Sequence, residues 1–301
     1  MSYTTHKELL DLTYGSQYVT YRSSITLSNK NGNEFDFTGS SFTLAGGDIL
    51  CQGEYSQTIS DISDQVLTLE DATDIVDGLA YVYRSTKTLD EWNMLETLAQ
   101  STIDLYTGQW FEQRDFTSEN ALSIEGSNTA CLHLSVPIIS ISSLKINNQE
   151  DEYSTEMYKV YNSFQMPDDR QNPKIKLISS GVDIFKYSGS QAVFYEGMFN
   201  TIEGSFGYVE SDGSTPELIK WCVARLIINY SEITDGTDKT IKSEKTDLHE
   251  VTYDIPKQSS SSSTSSTGDE TVDRVLGKFK SPIAICGSNP LYSAIVNFYK
   301  L

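Results

Sequence analysis

The stretch Leu218 to Tyr230 (LIKWCVARLIINY) constrains this chain more than any other part of it. Its pattern is helical, and it is apolar on nearly every side, relieved only by Lys220, Arg225 and Asn229. A helix with so little polar surface has to be covered all round. The chain as a whole is polar: Asp plus Glu number 42 against 22 Lys plus Arg, a net charge of −20, and only 38 % of residues are hydrophobic. Such a chain has little apolar surface to spare, so a neighbouring subunit is expected to supply part of the cover, the alternative being burial wholly within the helix's own domain. Ser214-Thr215-Pro216-Glu217 announces the helix, with Thr215 as its expected cap and Pro216 at its first position.

An earlier helix is expected from Thr86 onward, where the hydrophobic period changes from two to that of a helix. Thr88-Leu89-Asp90-Glu91 has the form of a capping box. Behind it Trp92, Leu95, Leu98, Ala99, Thr102, Ile103 and Tyr106 share one face, and Gly108 offers a left-handed stop. Before Thr86 the pattern is that of strands: Ser24–Ser28, Glu34–Thr38, Ser41–Leu44, Gln65–Leu69 and Leu79–Tyr83. Asn31-Gly32 marks a tight hairpin between the first two. The expectation is a small all-β domain over residues 1–85.

After the first helix the chain returns to strands. Cys131 to Asn148 alternates on both sides of Pro137, which argues for an edge or a bend between two strands. Further strands are expected at Lys174–Ile178, Ala192–Tyr195 and Thr201–Val209. Gln258–Gly268 is serine-rich and has nothing to bury, so it reads as a flexible insert. A short helix is expected over Asp269–Phe279. The last stretch, 282–301, is apolar enough to return to the core or to dock on a partner. The fold class expected is therefore α+β: a helical core with intervening antiparallel strands over 86–281, preceded by the all-β domain and followed by an apolar arm.

Catalytic signatures are missing from the sequence. Gly277-Lys278 is followed by Phe279 where a Walker loop needs Ser or Thr, and neither a nucleophile elbow nor a zinc-protease helix occurs. Cys51, Cys131, Cys222 and Cys286 match no zinc or redox spacing, and His6, His133 and His249 are scattered. The paired acids Asp168-Asp169 and Glu150-Asp151-Glu152 sit in polar, turn-like stretches. The expectation is a protein that is not an enzyme and that has no catalytic, cofactor or metal residues. The strong acidity excludes a broad grip on nucleic acid, which runs on cationic neutralisation of phosphates. No apolar run reaches membrane-spanning length, and residues 1–15 lack a secretory core, so a soluble product of a cytoplasm is expected.

Four segments, in order, resemble the head-tail connector (adaptor) proteins of tailed bacteriophages. Ile103-Asp104-Leu105-Tyr106-Thr107-Gly108-Gln109-Trp110-Phe111 looks like that family's opening helix and the turn after it. Leu134 to Leu144 is similar to its strand-proline-strand segment, Thr215–Tyr230 to its second long helix, and Ser243–Tyr253 followed by Asp273–Phe279 to its closing part. The β segment before Arg84, the serine-rich insert and the apolar tail depart from the compact family pattern.

The resemblance implies a structural virion protein in the neck between capsid and tail, made in the host bacterial cytoplasm. It implies a ring, usually of twelve copies, beneath the portal protein and above the next neck or tail component (stopper or tail completion protein). Double-stranded DNA would pass through its channel without specific binding, and no membrane is involved. In that reading Trp92, Trp221, Leu226, Ile227 and Tyr230 build the subunit interface, and Leu291, Ile295, Phe298 and Tyr299 form an arm on the portal. A competing reading is a virion or cell-surface adhesin whose N-terminal β domain binds carbohydrate through Tyr18, Tyr21, Tyr55, Tyr81 and Tyr83.

Overall fold

The computed structural model describes residues 2–161, 170, 172–178, 193–234, 243–246, 249–252 and 267–280. The protein is mixed α+β, with strands predominating and four α-helices among the described residues. It forms two compact units. The first comprises Met1–Ile103 with Glu217–Val275, and the second Asp104–Pro216 with Leu276–Leu301.

The first unit opens with α1 (His6–Thr13) and continues through β1 (Val19–Asn31), β2 (Glu34–Thr38), β3 (Ile49–Gln52), β4 (Tyr55–Ser63), β5 (Val66–Leu69), β6 (Gly78–Ser85) and the start of α2 (Leu89–Thr107). The six strands close into a barrel in the order β1-β2-β5-β4-β3-β6, with every neighbouring pair antiparallel. The meander β3-β4-β5 with β6 returning beside β3 is a Greek key. Alternate residues point inward: Ile25 and Leu27 of β1, Phe35 of β2, Leu50 of β3, Ile59 of β4, Leu67 of β5 and Val82 of β6 fill the interior.

The hairpin stands at the expected place, one residue out of the expected register. Asn31 pairs with Glu34, so the loop is Gly32-Asn33, and only Gly32 has positive φ, +64°. Glycine alone at the first central position is the pattern of a type II′ turn. Ser41–Leu44 is not a strand. Its backbone is held by side chains, with the Ser41 N–H donating to Ser23 Oγ at 2.8 Å.

In the second unit lie β7 (Arg114–Phe116), β8 (Leu122–Glu125), β9 (Cys131–His133), β10 (Ile138–Lys145), β11 (Tyr158–Tyr161), β12 (Lys174–Leu177) and β13 (Phe199–Phe206). One sheet is centred on β13, which pairs with β10, β7 and β8; the other has the order β11-β12-β9. Pro137 falls between β9 and β10, and these go to different sheets, which is the bend its missing donor suggested. Leu132, Ile138, Tyr158, Ile175, Ile202 and Phe206 belong to the core that the two sheets enclose. β13 ends at Phe206, short of the expected Val209. Of the expected strand at 192–195, residue 192 lies outside the described residues, and Phe194 makes only an isolated bridge to Thr129.

The chain closes with α3 (Glu217–Thr234), the hairpin β14 (Ser243–Thr246) and β15 (His249–Thr252), and α4 (Glu270–Leu276). Two expectations need correction. The core of the second unit is built by strands rather than helices, because its apolar residues alternate with period two. The break after residue 85 is not a unit boundary either. α1 packs on α3 and on barrel strands β3 and β4, so helices and barrel form one body, which the chain leaves within α2.

Candidate functional site: the exposed faces of helices α2 and α3

α2 forms as the sequence requires. The Glu91 N–H donates to Thr88 Oγ1 at 3.3 Å, and the Glu91 carboxylate accepts from the Thr88 N–H at 2.8 Å. Gly108, at φ +68°, ends the helix with its N–H on the Asp104 carbonyl. In the turn that follows, Phe111 is fully buried against Tyr208 and Phe279, with ring centroids 5.6 Å away in each case. The buried face of α2 carries Trp92, Leu95, Ala99 and Ile103. Leu98, expected on that face, points to solvent. Met94 and Leu98, one turn apart, leave an apolar stripe exposed.

α3 begins just after Pro216. The Thr215 hydroxyl donates to the Phe111 carbonyl at 2.7 Å, so it secures the Trp110-Phe111 turn. Ile219, Cys222, Val223, Leu226 and Ile227 are buried, while Leu218 is exposed and Trp221 retains 37 % of its surface. Leu218 and Trp221, three residues apart, share the outer face. Tyr230 Oη lies 2.9 Å from Thr102 Oγ1 and ties α3 to α2.

α1 bridges the N-terminal halves of both helices. Glu96 of α2 accepts from the Thr4 hydroxyl, and Asn93 Oδ1 lies 2.7 Å from His6 Nε2, whose other nitrogen meets Ser56 of β4. On the α3 side, Lys220 Nζ donates to Glu8 at 2.7 Å and stands 3.2 Å from Glu217. Burial works against both charges of the Glu8–Lys220 pair. The hydrogen bonds prevail, holding the Glu8 carboxyl below the usual carboxylate range and the Lys220 ammonium above its ordinary value. Beyond α3, Asp269 receives Arg225 and Asn229 on one oxygen, and the Thr271 and Val272 N–H groups at the start of α4 on the other.

Three of the five residues expected at a subunit interface are buried in their own chain. Trp92 is buried with its indole N–H on Ser85 Oγ at 2.8 Å, and Leu226 and Ile227 are wholly covered. The cover expected from a neighbour is supplied at these positions by the chain itself. Trp221 keeps an exposed surface, and Tyr230 is half-buried. Met94, Leu98 and Leu218 were missed as surface residues, because a helical pattern gives the apolar arc but not its edges. The arm residues Leu291, Ile295, Phe298 and Tyr299 lie outside the described residues, as do Asp168 and Asp169. The serine-rich insert does too, except for Thr267 and Gly268.

Among the described residues no group of three or more His, Cys, Asp or Glu is placed to hold a metal ion. An apolar hollow of about the size of a water molecule lies between Trp110, Leu134 and Phe206, too small for a substrate. Of the tyrosines considered as sugar platforms, Tyr18 and Tyr83 are buried, and the Tyr83 hydroxyl donates to Asp11 at 2.9 Å. The Tyr81 ring is covered by Lys7 Nζ at 4.4 Å. No described helix is long and apolar enough to cross a membrane. No protein-family model matches the sequence, and no curated protein matches it either.

Proposed function

We propose that this chain is a head-tail connector (adaptor) subunit of a tailed bacteriophage, assembled as a ring of about twelve copies that joins capsid to tail. One observation supports this reading most. The two helices on which the resemblance rests are tied side by side by Thr102 and Tyr230, yet each keeps large apolar residues outward: Met94 and Leu98 on α2, Leu218 and Trp221 on α3. A ring is closed by a heterologous contact between two different patches of each subunit, and exposed helix faces supply such patches. In the proposal Met94, Leu98, Leu218 and Trp221 make that contact.

The stretch 282–301, with Leu291, Ile295, Phe298 and Tyr299, is the proposed portal-binding arm. The opposite side receives the stopper or tail completion protein. A charge of −20 per chain repels DNA phosphates, so the duplex passes through the ring without being held. The site of action is the virion neck.

Negative-stain microscopy and native mass spectrometry of the purified chain, alone and with isolated portal, test the reading. Rings are expected, at the latest on adding portal. Trp221→Glu with Leu98→Glu should stop ring closure while leaving the circular dichroism unchanged, and deleting 288–301 should abolish portal binding but not the ring. Imaging of intact virions that shows no annulus of this chain between shell and tail would overturn it.

A further inference from the structure

The turn that leads into β13, residues 194–199, is held rigidly and still places three large apolar side chains in solvent. Its N–H groups are taken one after another by side chains of two loops and of the end of β8. Tyr195 donates to Asn147 Oδ1 at 2.8 Å, Glu196 to Asn128 Oδ1 at 3.1 Å, Gly197 to Glu125 Oε1 at 3.0 Å and Phe199 to Asn148 Oδ1 at 2.9 Å. The carbonyls of Met198 and Phe199 accept from the N–H groups of Gly126 and Asn148, both at 2.9 Å. Asn128, Asn147 and Asn148 all stand at positive φ, 54–59°, a region asparagine tolerates better than most residues. Gly126 completes the clamp: a Cβ there would come within 2.3 Å of the Tyr195 carbonyl oxygen, so no larger residue fits.

From this frame Tyr195, Met198 and Phe199 project with 47 %, 40 % and 51 % of their surface exposed. Their surroundings are acidic. Glu125 and Glu196 flank the tip, and the loop that supplies Asn147 and Asn148 runs on into exposed Glu150, Asp151 and Glu152. Residues 115–144 and 193–219 contain no Lys or Arg; Lys145, paired with Thr201 near the start of β13, is the basic residue next in sequence.

We propose that this turn is a preformed docking knob for a protein partner that offers an apolar pocket rimmed by Lys and Arg. Apolar anchors at the centre and charge at the edge are the anatomy of a protein interface. A backbone fixed beforehand loses little entropy on binding. The acidic rim steers a basic partner in, and it repels nucleic acid and anionic lipid. The knob goes beyond the connector reading and does not depend on ring formation.

The probe is a displayed library of a folded scaffold with a randomised concave face, selected on the full-length chain. The expected winners line that face with apolar residues and rim it with Lys or Arg, and bind more weakly as salt is raised. Phe199→Ser should weaken them about tenfold or more, and Met198→Ser, a second tip variant, in the same direction. Asn148→Gly keeps the positive φ and all three apolar side chains but removes one clamp bond, and should weaken binding about threefold. Circular dichroism confirms the fold of each variant.

Several results would overturn the knob: no scaffold enriched, winners without basic residues at the rim, or binding indifferent to Phe199→Ser and Met198→Ser. Binding of phosphatidylserine vesicles that Phe199→Ser abolishes would make the occupant a lipid surface. Self-association in sedimentation that Phe199→Ser abolishes would make it a second copy of the chain.

Discussion

Lys220 and Glu8 stand 212 residues apart in sequence and 2.7 Å apart in space, and between them they fix α1 against α3. Glu8 also closes the cap of α1, where its carboxylate accepts from the Thr5 N–H at 2.9 Å. The lysine side chain is 9 % exposed and the glutamate 40 %, so the ammonium is the more dependent partner. Glu8→Ala should therefore cost about 1–2 kcal/mol, below the figure for a fully buried pair because water reaches the carboxylate. Lys220→Met, which removes the charge along with its need for a partner, should cost less than about 1 kcal/mol. Urea unfolding of the two variants checks the order.

Acid should weaken the first unit in a defined direction. For Glu8, Asp11 and Asp269 burial works to raise the carboxyl values, but hydrogen bonds outweigh it and hold all three below the usual range. Lys220 and Thr5 serve Glu8; Lys7, Arg22 and Tyr83 serve Asp11; Asn229 and Arg225 serve Asp269. The unfolded chain then takes up protons first as pH falls. The stabilisation is complete at neutral pH and declines once pH enters the ordinary carboxylate range, about 5 and below. Thermal midpoints measured from pH 7 to pH 3 should be flat at first and then fall, less steeply for Asp11→Asn.

Thiol chemistry should separate the described cysteines. Burial pushes the thiols of Cys51 and Cys222 up to about 12, so neither offers thiolate at neutral pH. Cys131 is only half-buried. A chromogenic disulfide reagent at pH 8, followed by peptide mapping, should label Cys131 well before Cys51 or Cys222 in the native protein, and all three in urea.

Gly204 should be irreplaceable. It lies in central strand β13 at φ +150°, and a Cβ there would meet the Ser140 carbonyl oxygen at 2.2 Å, backbone that cannot step aside. Gly204→Ala combines that clash with a backbone conformation alanine rarely adopts, and should cost about 3 kcal/mol. Limited proteolysis should cut the second unit of the variant well before that of the parent.

Much of the local structure was legible because it depends on neighbours in sequence. Thr88-x-x-Glu91 capped α2, Gly108 stopped it, Pro137 split two strands, and Glu34–Thr38 is β2 as read. α1 went unread although Thr5-His6-Lys7-Glu8 carries the same capping signal, because one short helix leaves too little periodicity to notice. The candidate site was legible only in outline. Trp221 keeps part of its surface exposed, whereas Trp92, Leu226 and Ile227 are buried within their own chain, which depends on packing between segments remote in sequence.

What the sequence by itself determined, then, is the cap and stop of α2, the strand β2 and the break at Pro137, together with the acidity that governs which partners the chain can meet. The tertiary structure alone decided that six strands close on themselves, that α1 and α3 share a body with that barrel, and which edge of each helix stays wet. It also decided that three asparagines from two loops converge on one turn. Caps, turns and periods are set by bonds within a few residues, whereas closure and burial are set by contacts between residues far apart along the chain, whose pairing no local pattern records.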